Sequence, residues 1–410
     1  MSLLRRHRDF RLLWCGETAG RFGASVSSVA MPLIAVSVLH TGTFEVGLLS
    51  ASAWLPWLLI GLPAGAWVDR MRRRPVMLTA AAVSLLLYCL VPLAAWAGRL
   101  SVGVLLAVSL LAGTAGVFFQ TAYSAYLPGL LAPEDQAEGN AKLHGSASAA
   151  QIAGLGSAGV VAQAAGAVNG MFVHAGTFLV SFLCLARIRH REPAPGRPAV
   201  RSTGLLREVG DGLRLVTRDP WLRALTLFAA ASNLALMGYQ SVRVVFLVES
   251  VGLGPRAVGV LVAIAGAGGV AGAFAARKVA GRIGTARATL VFEVGLAVFA
   301  LLIPVTSGGA GLVLFAAGGF CVSAGVVAGN VLKAGFQQRY CPPELLGRLT
   351  ASTAFLNYGT IPLGALLGGA LGTALGLRTA MWITTAGIPL AGLVLLLSPV
   401  GRSRDLPAGR

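Results

Sequence analysis

The chain has 410 residues, 56% of them hydrophobic and only 12% charged, with a mean hydropathy of +0.76. That leaves too little polar surface to coat a soluble globule of this size, so the composition points to a polytopic membrane protein. The net charge of +18 would suggest a nucleic-acid or acidic partner in a soluble protein; here the placement of the charges matters more than their sum, and no nucleic-acid partner is expected.

Apolar runs of roughly 20 residues, each long enough to cross about 30 Å of hydrocarbon as a helix, centre near Ser27, Leu55, Leu86, Ala112, Leu155, Leu179, Ala235, Ala265, Ala297, Ala316, Pro362 and Ile388. Twelve spans are therefore expected, the fifth and eleventh diluted by Gly, Ser and Gln. The first follows a basic segment as a signal peptide would, but it runs long, lacks a small-residue cleavage site and contains Glu17 and Arg21; a retained signal-anchor is the expectation. Cys15, Cys89, Cys184, Cys321 and Cys341 form no close pair, and no disulfide, metal framework or cofactor is expected.

The basic residues sort by side. Arg5, Arg6, Arg8 and Arg11 precede the first span, Arg70, Arg72, Arg73 and Arg74 follow the second, and Lys142 follows the fourth. The polar stretch from Arg187 to Arg223, with Pro193, Pro195 and Pro198, carries nine arginines on that same side. Arg277, Lys278, Arg282, Arg287, Lys333, Arg339, Arg348, Arg402, Arg404 and Arg410 continue the alternation, leaving Arg21, Arg99, Arg243, Arg256 and Arg378 as exceptions. The positive-inside rule then puts both termini in the cytoplasm, with the chain in the plasma membrane.

The long polar stretch splits the spans into six and six: an N-terminal bundle over 1–187, a cytoplasmic linker over 188–219, and a C-terminal bundle with a short tail over 220–410. Residues Leu205 to Val216 set an apolar stripe against charges, the pattern of a helix lying at the inner membrane surface. The halves echo one another. Gly65-Ala66-Trp67-Val68-Asp69-Arg70 after the second span returns, degraded, as Gly272-Ala273-Phe274-Ala275-Ala276-Arg277. Asp9-Phe10 and Asp219-Pro220 precede the first and seventh spans, and Pro133-Glu134 and Pro343-Glu344 follow the fourth and tenth, all at offsets of about 207 to 210 residues. Such parallel repeats, related by an axis along the membrane normal, are one plan of secondary transporters.

With Gly65-x-x-x-Asp69-Arg70-x-x-Arg73-Arg74 between its second and third spans, the chain resembles the major facilitator superfamily, although Arg72 stands where that pattern usually has glycine. Tyr126 to Glu134 followed by Asn140-Ala141, and Gln338 to Arg348, look more narrowly like the macrolide-efflux and enterobactin-exporter-like branch. The resemblance spans essentially the whole chain. It implies an all-α membrane protein of twelve helices in two pseudo-symmetric six-helix bundles, working by alternating access. It also implies a gating role for Gly65, Asp69, Arg70, Arg73 and Arg277, the aspartate capping a neighbouring helix and pairing with arginines as a latch. Simple inside-positive charge is the alternative reading, above all for Arg72, Arg73 and Arg74.

Glu17 and Arg21, spaced i, i+4, share a helix face and can neutralise one another; alone, each would cost roughly 2.5 to 3.5 kcal/mol at the bilayer centre. First helices of the family line the central cavity, so Glu17 is the expected proton-coupling carboxylate with Arg21 tuning it, unless both merely snorkel at the interface. Glu293, with no local partner, is the other coupling candidate. Substrate-cavity candidates are Gln120, Gln151, Asn233, Gln240, Arg243, Asn330 and Asn357, while Lys333 is expected to snorkel to the cytoplasm.

Gly154-Leu155-Gly156-Ser157-Ala158-Gly159 fits a dinucleotide pattern but follows no strand, and is read as a helix-packing face. Leu155 also takes the place of the proline in the fifth-span signature of drug antiporters. Gly61-x-x-x-Gly65 and Gly364-x-x-x-Gly368-x-x-x-Gly372 are expected close-approach surfaces. No Gly-Lys dipeptide exists for a phosphate-cradling loop, and His7, His40, His144, His174 and His190 lack ligand spacing, so neither ATP hydrolysis nor another enzyme activity is expected. The sequence thus reads as a monomeric secondary transporter in membrane lipid, exchanging protons for export of a hydrophobic or amphipathic small molecule. An importer or facilitator of the same fold, or a non-transporting receptor or assembly partner, are the alternatives.

Overall fold

In hydrocarbon every backbone N–H and C=O must be satisfied within the protein, so each apolar run folds as a helix. The computed structural model describes residues 3–68, 70–190, 192, 214, 216–341 and 343–407. The long helices in chain order are α1 (Arg8–Ser37), α2 (Thr43–Val68), α3 (Arg73–Trp96), α4 (Val102–Leu130), α5 (Pro133–Ala165) and α6 (Ala167–Arg187). They continue with α7 (Pro220–Val245), α8 (Pro255–Ile283), α9 (Thr285–Leu290), α10 (Leu312–Tyr340), α11 (Pro343–Leu375) and α12 (Leu377–Ala391). Among the described residues, 11 helices are long and apolar enough to cross a membrane. α5 is not among them: it has the length, 33 residues, but its Glu, Asp, Gln, Ser and Gly residues keep its hydropathy down, the dilution expected for the fifth span. The expected surface helix over 205–216 lies almost wholly outside the described residues.

The chain divides into two units. Unit 1 comprises 1–41, 52–201 and 254–259; unit 2 comprises 42–51, 202–253 and 260–410. Within unit 1, α1 packs on α5 and α6, and α3 on α4 and α6. Gly154 of α5 meets the Phe22 carbonyl of α1 so closely that a Cβ there would lie 2.6 Å from it, so the expected packing face is real. Within unit 2, α7 packs on α11 and α12, with Gly364 and Gly368 of α11 against the backbone of α7 at Leu234 and Gly238. Gly61 and Gly65 behave differently from expectation. Among the described residues no other helix comes within 4 Å of a Cβ built at either, so the pair makes no close approach to them.

The duplication is written in the backbone as well as the sequence. α5 and α6 are joined through Gly166 at φ +81°, and α11 and α12 through Gly376 at φ +84°, a left-handed conformation that only glycine adopts without strain. Pro133 and Pro343 each open their helix, where the missing N–H removes no hydrogen bond.

Candidate functional site

In α1 the spacing does what the sequence implies. Arg21 Nε donates to Glu17 Oε1 at 2.8 Å, within one helix face. The acid is nearly covered, its side chain 11% exposed, whereas that of Arg21 is 49% exposed. Tyr123 of α4 lies within electrostatic reach of both charges. Gly20, between them in sequence, has nothing within 4 Å of a Cβ position, so this stretch of α1 borders open space.

A second pair lies in unit 2. Beyond Leu290 the helix widens into a π turn over Val291–Gly295 and then tightens into a 3₁₀ segment over Ala297–Leu302. Glu293, inside the π turn, is 5% exposed. Lys333 Nζ of α10 stands 2.8 Å from its Oε1. The sequence offered Glu293 no partner because only neighbours on its own helix are visible there; the partner comes from the next span. Lys333 accordingly does not extend away as expected. Its side chain is 16% exposed, and its ammonium lies 5.1 Å from the centroid of the Phe228 ring of α7. Gly329, one turn earlier on α10, leaves the niche in which the carboxylate sits: a Cβ there would collide with Glu293 Oε1, Cδ and Cγ.

The gating residues divide. Asp69 lies outside the described residues. Arg70 and Arg277 are exposed and Gly65 is half-buried. Arg73 Nη1 donates to the Ala125 carbonyl near the end of α4 at 2.9 Å. Its neighbour Arg74 donates through Nε to Leu185 O at 3.0 Å and through Nη2 to Ala186 O at 2.7 Å, at the end of α6. The last carbonyls of a helix have no internal partner and carry its negative end, so cations are stabilising there. These arginines therefore do more than mark a side of the membrane. At the same end of unit 1, Asp9 Oδ2 accepts from the amides of Arg189 and His190 at 3.2 and 2.8 Å, Asp135 accepts from Arg6 at 3.3 Å, and Glu138 accepts from the Leu3 amide at 3.1 Å. The Leu3 amide and Lys142 hold the Glu138 carboxyl below the ordinary carboxylate range.

The corresponding end of unit 2 is tied differently. Asp219 Oδ1 accepts from the amides of Trp221 and Leu222, both at 2.9 Å, capping α7, while its Oδ2 accepts from Tyr340 at 2.6 Å. The start of α9 is bound by the tail: the Thr285 amide donates to Asp405 Oδ1 at 2.8 Å, the Ala286 amide donates to the Arg404 carbonyl at 3.1 Å, and Leu406 N donates to Thr285 Oγ1 at 2.8 Å. Sequence reasoning missed this strap, since an isolated aspartate in a tail carries no spacing signal.

The cavity candidates differ in burial. Gln151 and Asn330 are exposed, and Gln120, Asn233 and Gln240 are half-buried. Arg243 lies 5.9 Å from the Tyr239 ring centroid, with its buried Nε lacking a hydrogen-bond partner, and Asn357 Oδ1 is likewise buried and unpartnered. Among the described residues no group of His, Cys, Asp and Glu is arranged to hold a metal ion.

Comparison with known proteins bears on the whole chain. The family model described as Major Facilitator Superfamily matches residues 13–361. The multidrug efflux pump Tap of Mycolicibacterium fortuitum is 27% identical over 420 residues, covering 99% of each chain. Tap of Mycobacterium tuberculosis is 28% identical, covering 94% of this chain and 92% of its own. Among solved structures, a bacterial homologue of the iron transporter ferroportin superposes with a TM-score of 0.76 at 16% identity, covering 97% of this chain and 99% of its own. The nucleoside transporter NupG gives 0.75 at 11% identity, covering 95% and 98%. At those identities the likeness is one of fold.

Proposed function

Because the chain belongs to the Major Facilitator Superfamily, its members being transporters and not enzymes, we propose that it is a proton-coupled exporter of a hydrophobic or amphipathic small molecule, working by alternating access. The observation that carries this reading is the similarity to Tap along 99% of both chains. The direction follows from that kinship. The energy comes from the membrane: one charge moving through the potential is worth about 2.3 kcal/mol per 100 mV. The chain acts as a monomer in the plasma membrane with both termini cytoplasmic, its bundles over 1–187 and 220–410 joined by the linker over 188–219.

Glu17 is the proton-accepting group of this reading. Its carboxylate is nearly covered yet adjoins open space at Gly20, and its counter-charge Arg21 moves with the same helix. Arg73 and Arg74, tied to the ends of α4 and α6, hold the loop that carries Asp69 and Arg70 as the gate. Arg277 is the second copy's remnant of that gate. Arg243 and the amides Gln120, Gln151, Asn233, Gln240, Asn330 and Asn357 supply the polar contacts of the substrate path.

The reading is tested in everted vesicles by following proton flux as a panel of antibiotics and siderophores is added. At least one compound is expected to provoke proton release from wild-type vesicles and to accumulate inside them, with Glu17→Gln abolishing the proton flux. Accumulation that rises when the proton gradient is collapsed in whole cells supports export; accumulation that falls marks the protein as an importer and overturns the reading.

A further inference from the structure

The geometry points to Glu293 and Lys333 as a second proton-exchanging site, one in which protonation breaks an interhelical ion pair; this deepens the coupled-transport reading above and rests on it for its role in transport. An ionised carboxylate inside a membrane-spanning helix is a functional-site hypothesis by default, and its partner is the first thing to name. Among the described residues Lys333 is the one charged group that faces it. α8 meets this region with Ala276, Val279, Ala280 and Ile283, α7 with the Phe228 ring, and Gly392, just past the end of α12, lies against Val294. Among the described residues no third charge shares the site.

The two members differ in how free they are to move. The carboxylate is fixed: it sits in the niche left by Gly329, on a turn of helix widened at that position, and its side chain is 4% exposed. π turns of this kind recur at functional positions. The ammonium, by contrast, ends a flexible stem, is 16% exposed, and while paired with Glu293 already lies 5.1 Å from the centroid of the Phe228 ring. Such a ring attracts an ammonium without a carboxylate. The step balances simply. A proton from water bonds to a Glu293 carboxylate oxygen, the ion pair with Lys333 is lost, Lys333 keeps its own proton beside the Phe228 ring, and the site goes from net zero to one positive charge. The carboxylic acid, now neutral, stays buried without the cost of an unpaired ion. Loss of the proton draws Lys333 back and re-pins α10 to the helix carrying Glu293. The pair therefore couples one proton to the fastening of two spans.

The test has two independent arms on purified, full-length protein. In infrared difference spectra between alkaline and acidic buffer, wild type is expected to gain a carboxylic-acid carbonyl band that is missing in Glu293→Gln; if the two spectra match in that region, the proposal is overturned. In proteoliposomes, Glu293→Gln and Lys333→Met are expected to keep downhill substrate exchange while losing proton-driven accumulation, with Lys333→Arg restoring it. A wild-type proton-to-substrate ratio in Glu293→Gln also overturns the proposal. The double variant Glu293→Gln/Lys333→Met serves as the folding control, because it leaves no charge stranded. If wild type moves no substrate at all, the transport reading fails, and the infrared arm still decides whether Glu293 exchanges a proton.

Discussion

The two halves of the chain each place an acid and a base inside an apolar helix, and they do so in opposite ways. In α1, Glu17 and Arg21 belong to one helix and half of the arginine is exposed, so the pair keeps its charges together wherever that helix goes. In unit 2, Glu293 and Lys333 belong to different helices and both are largely buried, so the pair exists only while two spans stay in register. The first arrangement neutralises charge; the second also reports position. A duplicated fold has thus kept its helices and redistributed its chemistry.

That contrast can be attacked by substitution, and the largest effect is expected where a buried charge is stranded. Lys333→Met leaves Glu293 without its counter-ion and should lower stability by about 3 to 5 kcal/mol in alkaline buffer that keeps the acid ionised, and by less in acid where it is neutral, whereas the double variant with Glu293→Gln should recover most of the alkaline loss; thermal unfolding in detergent measures both. Equal losses in the single and double variants would show that the pair is not the source. Next comes Arg74→Met, which removes charge-assisted hydrogen bonds from the end of α6 and should cost about 1.5 to 3 kcal/mol, read as faster hydrogen exchange in the last turn of α6. Asp405→Ala frees the start of α9 in unit 2 and should cost about 1 kcal/mol, as loss of a helix N-cap does, with the tail becoming sensitive to protease. Arg21→Met, by contrast with Lys333→Met, should shift the unfolding free energy by only about 0.5 kcal/mol, since the pair it breaks is intrahelical and half exposed. A loss as large as that of Lys333→Met would erase the distinction between the halves.

The smallest effect concerns pH. Glu138 has a folded-state pKa lowered by the Leu3 amide and Lys142. A lowered carboxylate stabilises the folded form at pH above its unfolded value, and that contribution disappears as pH falls through the lowered one. The Leu3 amide should stay protected from exchange at neutral and mildly acidic pH and lose protection only in stronger acid. Glu138→Gln should remove this dependence.

Much of the architecture was legible because it rests on local pattern. Apolar runs marked the helices, and the offset between Pro133 and Pro343 is the same one that separates the left-handed glycines Gly166 and Gly376. Glu17 and Arg21 could be paired from spacing alone, since an α-helix fixes which residues meet four positions apart. The Glu293–Lys333 pair could not, because it depends on how two separate helices are rotated, which no single-helix periodicity encodes. Matching motifs also concealed different work. Asp9 and Asp219 occupy equivalent places in the repeat, yet Asp9 reaches across to Arg189 and His190 while Asp219 caps its own helix and holds Tyr340. Arg74 read as mere inside-positive charge because carbonyl partners leave no trace in sequence. Gly61-x-x-x-Gly65 has the small-residue spacing of a contact and, among the described residues, no neighbouring helix within 4 Å to make it with.

The widened turn at Val291–Gly295 has a bearing on how this span is to be aligned and redesigned. A π turn holds one residue more than the α-helical turn it replaces, and one residue corresponds to a rotation of about 100°. A helical wheel drawn through the whole span therefore misassigns one side of it: the residues beyond Glu293 are shifted in phase by the π turn, and over Ala297–Leu302 they follow the tighter 3₁₀ period. Deleting one residue at Val294 would remove the extra residue of the π turn, at the expense of the geometry that seats the Glu293 carboxylate against Gly329.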